Sequence, residues 1–146
     1  MTENALFSLK DRVAVVTGAN TGLGRGIAVA LAAAGADIVA VGRSPAEETK
    51  ADVAAAGRRF FFVAADLADV GRGEEIIAAA EGAAGAVDIL VNNAGIIRRA
   101  DALDFTAEDW DAVMTVNLKS AFFLCQAAAR RMTKKGAGKI INIASM

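Results

Sequence analysis

Three glycines that follow the first apolar run are the clearest chemical signal in this chain. Residues 12–17 (RVAVVT) lead directly into Gly18, Gly22 and Gly24. A strand that enters a helix in this way presents free main-chain N–H groups at the positive end of the helix, which suits a pyrophosphate. Glycine lets the backbone approach the phosphates and adopt a positive φ. The motif therefore predicts a dinucleotide-binding turn, with a plain packing turn as the alternative.

The end of the second predicted strand indicates which dinucleotide the turn would hold. An acid there would bind a ribose 2′-hydroxyl, whereas an arginine would accommodate a 2′-phosphate. Asp37 begins that strand and therefore lies at the wrong end, while Arg43 follows it. Charge alone favours NADP, although Arg43 could equally be a solvated loop residue. The predicted cofactor is therefore NAD or NADP.

The composition excludes several kinds of site and partner. The 146 residues include no histidine and a single cysteine, Cys125, and the formal net charge is −1. A histidine-assisted nucleophile and a zinc site built on His or Cys are excluded, and we predict no metal site. The balanced charge does not favour nucleic acid, and no apolar run reaches the roughly 18 residues that cross a bilayer. Since a signal-peptide pattern is also absent, we expect a cytoplasmic protein with no nucleic-acid or membrane partner.

Short apolar runs alternate with helical patterns along the chain. Predicted strands cover residues 12–17, 37–42, 60–64, 89–92 and 139–144, and predicted helices cover 22–34, 45–56, 72–83 and 107–134. Strands that alternate with helices and are apolar on both faces indicate a parallel sheet covered on both sides. Right-handed crossovers then give an α/β fold, a doubly wound parallel sheet of the Rossmann type, with ligands at the carboxyl ends of its strands. We expect an incomplete sheet of about five strands, in one dinucleotide-binding domain over residues 1–146.

Two helix starts and one helix face give further predictions. Ser44, followed by a proline and then Glu47, is typical of an N-cap, and Thr106 has the same role before the last helix. On that last helix, Asn117 shares an apolar face with Trp110. We predict that Trp110 packs in the core. A buried Asn117 must find partners for its amide, either to lock the core or to organise water at a site.

Motifs at five separate places, in a fixed order, resemble those of the short-chain dehydrogenase/reductase family. Residues 17–24 match its TGxxxGxG cofactor loop, and residues 92–95 match its NNAG motif. Asn117, Ser145 and Asp66 match its active-site asparagine, its catalytic serine and the acid that usually contacts the adenine. The resemblance implies an NAD(P)-dependent oxidoreductase in which Ser145 and Asn117 are catalytic. Together with Arg43, the implied cofactor contacts are Thr17, Gly18, Asn20, Thr21, Gly22, Leu23, Gly24, Asp66, Leu67, Asn93, Ala94 and Gly95.

Several segments further resemble the family members that act on keto-deoxy sugar acids. These segments are residues 7–9, 57–60, 92–99 together with 101–103, and 138–146. They imply interconversion of a hydroxyl and a ketone on a small-molecule substrate such as 2-dehydro-3-deoxy-D-gluconate, with 5-dehydrogenation of gluconate as the alternative. Arg98 and Arg99 directly follow the fourth strand, so one of them could bind the substrate carboxylate. Two solvated loop arginines are the alternative.

The family pattern also includes residues that this chain does not contain. Family members run to about 250 residues. They place a catalytic tyrosine after the serine and a lysine four residues beyond it, whereas this chain has no tyrosine. We therefore expect a fragment that is truncated before the Tyr-x-x-x-Lys segment, is inactive alone and leaves strand 139–144 as an apolar edge. The complete protein is expected to form a homo-oligomer, a tetramer or a dimer. A non-catalytic dinucleotide-binding module is the alternative interpretation.

Overall fold

A five-stranded parallel sheet forms the centre of the computed structural model, which describes residues 5–145. The order of the strands is β3-β2-β1-β4-β5, so the chain winds outward from β1 in one direction and then returns to place β4 on its other side. In such a sheet, ligands bind at the carboxyl ends of the strands where the winding reverses, here between β1 and β4. The strands are β1 (Val13–Thr17), β2 (Asp37–Gly42), β3 (Phe60–Ala64), β4 (Ile89–Asn92) and β5 (Lys139–Asn142).

Helices cover both faces of the sheet, which confirms the predicted doubly wound Rossmann fold. One apolar cluster joins the sheet to α1 and α2, and a second joins it to α3 and α5. The short 3-10 helices are Ala5–Phe7 and Val70–Arg72, and a π-helical segment (Thr115–Ser120) separates α4 from α5. The helices are α1 (Gly22–Ala33), α2 (Glu47–Ala55), α3 (Gly73–Ala84), α4 (Ala107–Met114) and α5 (Ala121–Lys135).

The central strands are continuous apolar runs because both of their faces are buried. In β1, Val13 and Val15 face the cluster of α3 and α5, whereas Ala14 and Val16 face that of α1 and α2. All five residues of β1 are buried. This two-sided burial is the physical reason that apolar runs, rather than alternating patterns, predicted the strands.

The strand β5 differs from the others, since it lies at the edge of the sheet and all four of its residues are exposed. Ile140 and Ile141 keep 37% and 45% of their surface accessible. The predicted apolar edge is therefore present, although the strand ends at Asn142 and not at the predicted residue 144.

The start of α2 differs from the prediction. The helix begins at Glu47, after Ala46, whose φ of −111° and ψ of 60° are not helical, and no side chain caps it. Ser44 is therefore a loop residue, and its predicted capping role was wrong. By contrast, the Thr106 side chain does cap α4, because its oxygen accepts a hydrogen bond from the Asp109 amide at 3.1 Å.

The last predicted helix is divided into α4, the π-helical segment and α5. Trp110 is 59% exposed, so its assignment to packing was wrong. The 29-residue helical stretch Ala107–Lys135 is long and apolar enough to cross a membrane by length and composition alone. Core helices of α/β folds meet the same two criteria. On α5, Leu124 and Met132 are buried in the cluster shared with α3, and Arg131 pairs with two glutamates of α3.

Candidate functional site

An open groove of about 760 Å³ runs along the carboxyl ends of the strands, where the fold predicts a ligand site. The glycine turn forms one wall, and the segments after β2, β3 and β4 form the others. Most of the residues that the sequence assigns to the cofactor meet here: Gly18, Asn20, Thr21, Gly22, Leu23, Gly24, Arg43, Asp66, Leu67, Asn93, Ala94 and Gly95.

The three glycines of the turn serve different steric needs. Gly18 has a φ of +65°, and a Cβ there would lie 3.0 Å from the Ala94 Cα. Gly24 has an ordinary helical conformation, but a Cβ on it would overlap the Gly18 carbonyl oxygen and the Asn93 amide. Gly22 has a φ of +53°, yet no atom lies within 4 Å of the position of its missing Cβ. Two of the glycines thus permit close packing, and the third keeps the groove side of the turn open.

The start of α1 presents main-chain donors to this open side. Gly22 and Leu23 form the first turn of the helix, and no residue of the described chain accepts a hydrogen bond from their amides. The first turn contains no acidic residue, and Thr21 does not cap it. The partial positive charge of the helix end is therefore not neutralised by the protein, which is the electrostatic condition for anion binding.

Thr17 and Asn93 hold the two loops of the site together. The buried Thr17 hydroxyl accepts hydrogen bonds from the amides of Asn93 and Ala94, each at 3.0 Å. In return, the Asn93 side chain donates to the carbonyl oxygens of Thr17 at 3.2 Å and of Gly18 at 3.3 Å. Thr17 does not line the groove, so the structure places this predicted cofactor contact inside the fold, where it fixes the NNAG loop on the glycine turn.

Arg43 and Asp37 lie at opposite ends of β2, as the sequence predicts. Arg43 is exposed, lines the groove and has no ion pair among the described residues. Asp37 is 4% exposed and pairs with Arg58 and Arg59, each at 2.7 Å. Burial by itself would raise the pKa of Asp37, but hydrogen bonds from Arg59 and the charge of Arg58 outweigh it and hold the pKa below its ordinary value. Asp37 therefore stabilises the amino-terminal end of the sheet, away from the groove.

The segment after β3 contributes one polar and one apolar residue. Asp66 is exposed, and its Oδ1 accepts a hydrogen bond from the Ala68 amide at 2.9 Å, which fixes the turn. Leu67 is 9% exposed and belongs to the core cluster while it also lines the groove. This arrangement leaves the second carboxylate oxygen of Asp66 free to meet a donor in the groove.

Asn117 does not lie buried on a helix face; it lies in the π-helical segment Thr115–Ser120, and its side chain is bonded to the loop after β4. The residue is exposed, and its amide forms two hydrogen bonds with the main chain of Ile96. The Ile96 amide donates to Oδ1 at 2.8 Å, and Nδ2 donates to the Ile96 carbonyl at 2.9 Å. A Cβ on Gly95 would lie 3.3 Å from that Oδ1. Asn117 thus holds the loop after β4, and the prediction that it is buried was wrong.

The predicted substrate and catalytic residues are not equally placed. Arg98 lines the groove, donates to the Ile97 carbonyl at 3.1 Å and lies 3.3 Å from an Asp109 carboxylate oxygen. Arg99 is exposed and does not line the groove. Ser145 is an exposed residue beyond the end of β5 and is also outside the groove lining.

A partly buried polar contact joins β4, β5 and α5. The Asn92 amide nitrogen lies 2.9 Å from the Asn142 side-chain oxygen and 3.2 Å from the Cys125 sulfur. Within residues 5–145, no group of three or more Cys, Asp or Glu side chains could hold a metal ion.

Sequence reasoning missed one wall of the groove. The helical segment over the groove contributes Asp111 and Thr115, which lie one helical turn apart on the same face. Their spacing was visible in the sequence, but only the packing of α4 against the loop after β4 shows which face they occupy. The other lining residues outside the prediction are Gly42, Ser44, Ala65, Ala68, Ile96, Ala112 and Val116.

Known proteins that match this chain share both its sequence and its fold. The short chain dehydrogenase family model matches residues 12–146. The 2-dehydro-3-deoxy-D-gluconate 5-dehydrogenase of Dickeya dadantii is 52% identical over 141 residues, which are 96% of this chain and 56% of that protein. The gluconate 5-dehydrogenase of Gluconobacter oxydans is 40% identical over an alignment 148 positions long, which covers 100% of this chain and 58% of that protein.

A solved structure adds a bound ligand to the comparison. A candidate 2-deoxy-D-gluconate 3-dehydrogenase from Agrobacterium tumefaciens, crystallised with NADP, is 50% identical and has a TM-score of 0.85. The match covers 95% of this chain and 55% of that one. The chain thus spans little more than half the length of the relatives it matches. The family model nonetheless includes every strand of the sheet and every segment that lines the groove. The chain belongs to the short-chain dehydrogenase/reductase family.

Proposed function

We propose that this chain supplies the dinucleotide-binding part of an NAD(P)-dependent oxidoreductase that interconverts a hydroxyl and a ketone on a keto-deoxy sugar acid. The observation that carries the proposal is the glycine turn, which opens on the groove at Gly22 and presents unpartnered amides beside it. Relatives at 40% and 52% identity named for gluconate and 2-dehydro-3-deoxy-D-gluconate supply the substrate class. We propose 2-dehydro-3-deoxy-D-gluconate as the substrate, with gluconate as the alternative.

The residues that line the groove fit a dinucleotide in both shape and charge. The amides of Gly22 and Leu23 would bind the pyrophosphate, since the helix end attracts an anion and no side chain blocks it. Asp66 has a free carboxylate oxygen that would accept a hydrogen bond from the adenine amino group. The nicotinamide ribose would lie beside the loop that begins with Asn93 and Ala94. A bound NAD(P) supplies hydride transfer, and the chain's part is to hold and orient it.

We propose that Arg43 selects NADP over NAD. Its guanidinium lines the groove at the carboxyl end of β2, has no carboxylate partner among the described residues and so is available for a 2′-phosphate. The bound NADP of the Agrobacterium tumefaciens structure is consistent with this choice. The residues at the carboxyl end of β2 that line the groove include no acid that would bind the 2′-hydroxyl of NAD. The acid of this strand, Asp37, lies at its other end and is paired there with Arg58 and Arg59.

For the substrate carboxylate we propose Arg98, because it lines the groove and Arg99 does not. Its ion pair with Asp109 is half exposed. Because an exposed ion pair contributes little free energy, Arg98 can leave Asp109 and bind the substrate carboxylate instead. Ser145 would hydrogen-bond the reacting oxygen of the substrate, and Asn117 would act through the loop it holds at Ile96. The general acid–base tyrosine that the family uses is not among these 146 residues, so we expect the chain alone to bind cofactor without turnover.

Isothermal titration of this chain with NADP and NAD tests the proposal. We expect NADP to bind and Arg43→Ala to raise its Kd about 10- to 100-fold, with little change for NAD. Arg99→Ala is the matched control, since it removes an exposed arginine outside the groove. Failure of the folded chain to bind either dinucleotide would contradict the proposal.

A second assay separates the enzyme from a non-catalytic binding module. The natural gene product that contains these residues is expected to oxidise a hydroxyl of 2-dehydro-3-deoxy-D-gluconate to a ketone while NAD(P)+ takes the hydride, or to reduce that oxidation product with NAD(P)H. A cofactor-binding gene product that is inactive on keto-deoxy sugar acids and on gluconate would favour the binding module. In an active enzyme, Arg98→Ala is expected to raise KM for the sugar acid, whereas Arg99→Ala leaves KM unchanged.

A further inference from the structure

A buried hydroxyl on α2 contacts the glycine turn from behind. Thr49 is fully buried, and its Oγ1 donates a hydrogen bond to the Ala19 carbonyl oxygen at 2.7 Å. Ala19 lies inside the turn, between Gly18 and Gly22, and is 2% exposed. The contact joins residues 30 positions apart in the chain. Thr49 does not line the groove, so any influence on a ligand must pass through the turn.

The hydroxyl is needed at this position for a polar reason and not for packing. Thr49 and Val53 are the two buried residues of α2, one helical turn apart, and Val53 packs in the apolar cluster with Ala19 and Ala46. A valine at 49 would fill the same volume. The Ala19 carbonyl, however, has no other hydrogen-bond donor in the part of the chain that the structure describes. Without Thr49 the carbonyl would be buried and unsatisfied, which native proteins rarely permit.

This hydrogen bond fixes the orientation of a peptide group at the groove. The described chain contains no cis peptide bond, so the Ala19 carbonyl and the Asn20 N–H point in opposite directions. Anchoring the carbonyl on α2 therefore turns the Asn20 N–H away from α2. Asn20 itself lines the groove. Since Gly18 and Gly22 on either side both have positive φ, the turn has little intrinsic preference for this arrangement and needs an external anchor.

The anchor is itself held in place against α1. Arg25 of α1 pairs with Asp52 of α2 at 2.7 Å and also with Glu48, so two acids one helical turn apart on α2 join the two helices. Exposed ion pairs contribute little stability individually, and the buried Val53 packs α2 in the same apolar cluster as Ala19. Thr49 thus lies on a helix that contacts the turn through an apolar cluster as well as through its own hydrogen bond.

We propose that Thr49 is a positioning residue for the dinucleotide, which acts by holding the glycine turn in its binding-competent conformation through the Ala19 carbonyl. The inference rests on the proposed function, because it assumes that the turn binds the pyrophosphate. A protein whose competent conformation is only partly populated binds with a proportionally higher Kd. Loss of the hydroxyl therefore weakens dinucleotide binding without removing any group that touches the ligand.

The test is a graded series at position 49 in the full chain, measured with NADP and without it. Thr49→Val removes the donor, Thr49→Ser retains it, and Thr49→Cys replaces it with a weaker donor. Thr133→Val is the control, because the exposed Thr133 hydroxyl also donates to a main-chain carbonyl, that of Ala129 at 2.8 Å, far from the groove. We expect Thr49→Val to raise the Kd for NADP about 10-fold. The Kd of Thr49→Cys should lie between those of Thr49→Val and the wild type, and the Kd values of Thr49→Ser and Thr133→Val should equal that of the wild type.

Amide hydrogen exchange without cofactor separates this proposal from the proposed function. Thr49→Val is expected to speed exchange selectively at the two hydrogen-bonded amides that border the turn. These are the amides of Gly18, which donates to the Val41 carbonyl at 2.9 Å, and of Arg25, which donates to the Thr21 carbonyl at 3.2 Å. Exchange in strands β1 and β4 should not change, whereas a general loss of stability would speed exchange at all of these positions. If the wild type binds neither NAD nor NADP but the turn still loosens in Thr49→Val, the proposed function fails and the anchoring of the turn stands. Unchanged exchange and unchanged Kd in Thr49→Val and Thr49→Cys would overturn the inference. Should Thr49→Val not fold, Thr49→Cys and Thr49→Ser decide it alone.

Discussion

Substitution of two glycines on the same helix by alanine should have opposite effects. A Cβ on Gly24 would lie 2.8 Å from the Gly18 carbonyl carbon and would overlap both the Gly18 oxygen and the Asn93 amide. Carbon atoms in contact prefer about 3.5 to 4 Å, so the turn or the helix must move by about 1 Å. At Gly26 of α1 there is no atom within 4 Å of the missing Cβ. The added methyl there has space and simply improves the helix.

The magnitudes follow from these contacts. Overpacking costs about 1–3 kcal/mol, and replacement of a helical glycine by alanine returns about 0.5–1 kcal/mol. We therefore expect Gly24→Ala to lower the free energy of unfolding by up to about 2 kcal/mol, and Gly26→Ala to raise it by about 0.5–1 kcal/mol. Because the overlap displaces the turn that we propose binds the pyrophosphate, Gly24→Ala should also weaken NADP binding at least about 10-fold.

Urea unfolding and isothermal titration on the two variants measure both effects. Titration is done at a temperature where each variant is fully folded, so that lost stability does not appear as lost affinity. A Gly24→Ala chain that binds NADP as tightly as the wild type would refute the assignment of the turn. Weaker binding by Gly26→Ala would refute the claim that steric overlap, and not the loss of glycine itself, decides the outcome.

Two further predictions concern stability. Asp88, directly before β4, accepts hydrogen bonds from the Lys135 ammonium at 2.6 Å and the Val13 amide at 2.9 Å. Burial by itself would raise the pKa of Asp88, but these hydrogen bonds outweigh it and hold the pKa below its ordinary value. The lowered pKa of Asp37 and of Asp88 means that both carboxylates stabilise the fold above their ordinary pKa of about 3.8, and that this stability is lost as pH falls through their lower native values. Asp37→Asn should therefore lower the free energy of unfolding by about 1–3 kcal/mol at pH 7 and leave the affinity for NADP unchanged. The free energy of unfolding in urea should also decrease less in acid for the variant than for the wild type. An equal decrease in both would contradict this. Asn117→Ala should speed exchange of the Ile96 amide and cost about 1–2 kcal/mol, because it removes two hydrogen bonds at an exposed site. An Ile96 amide that stays equally protected would show that Asn117 does not hold the loop.

The strands and the glycine turn were predictable because local physics decides them. Residues 37–42 and 89–92 are β2 and β4 at the predicted bounds, since a strand buried on both faces must be a continuous apolar run. Residues 60–64 are the partly buried edge strand β3, also at its predicted bounds. The spacing of Gly18, Gly22 and Gly24 after such a run likewise predicted the turn at the carboxyl end of β1. The sequence also predicted correctly that Asp37 lies at the amino end of β2 and Arg43 at its carboxyl end. Chain direction alone assigns residues to the two ends of a parallel sheet.

Only the tertiary structure decided what the individual side chains of the site do. Thr17 and Asn93 contact each other across 76 residues, and Thr49 reaches Ala19 across 30. No local pattern encodes such partners, because they depend on how separate βαβ units pack together. For the same reason the partner of Asn117 could not be predicted: its exposed side chain hydrogen-bonds the main chain of Ile96, 21 residues earlier in the chain. The sequence determined that a dinucleotide turn exists and where it lies, whereas packing between distant segments determined which residues hold it in shape.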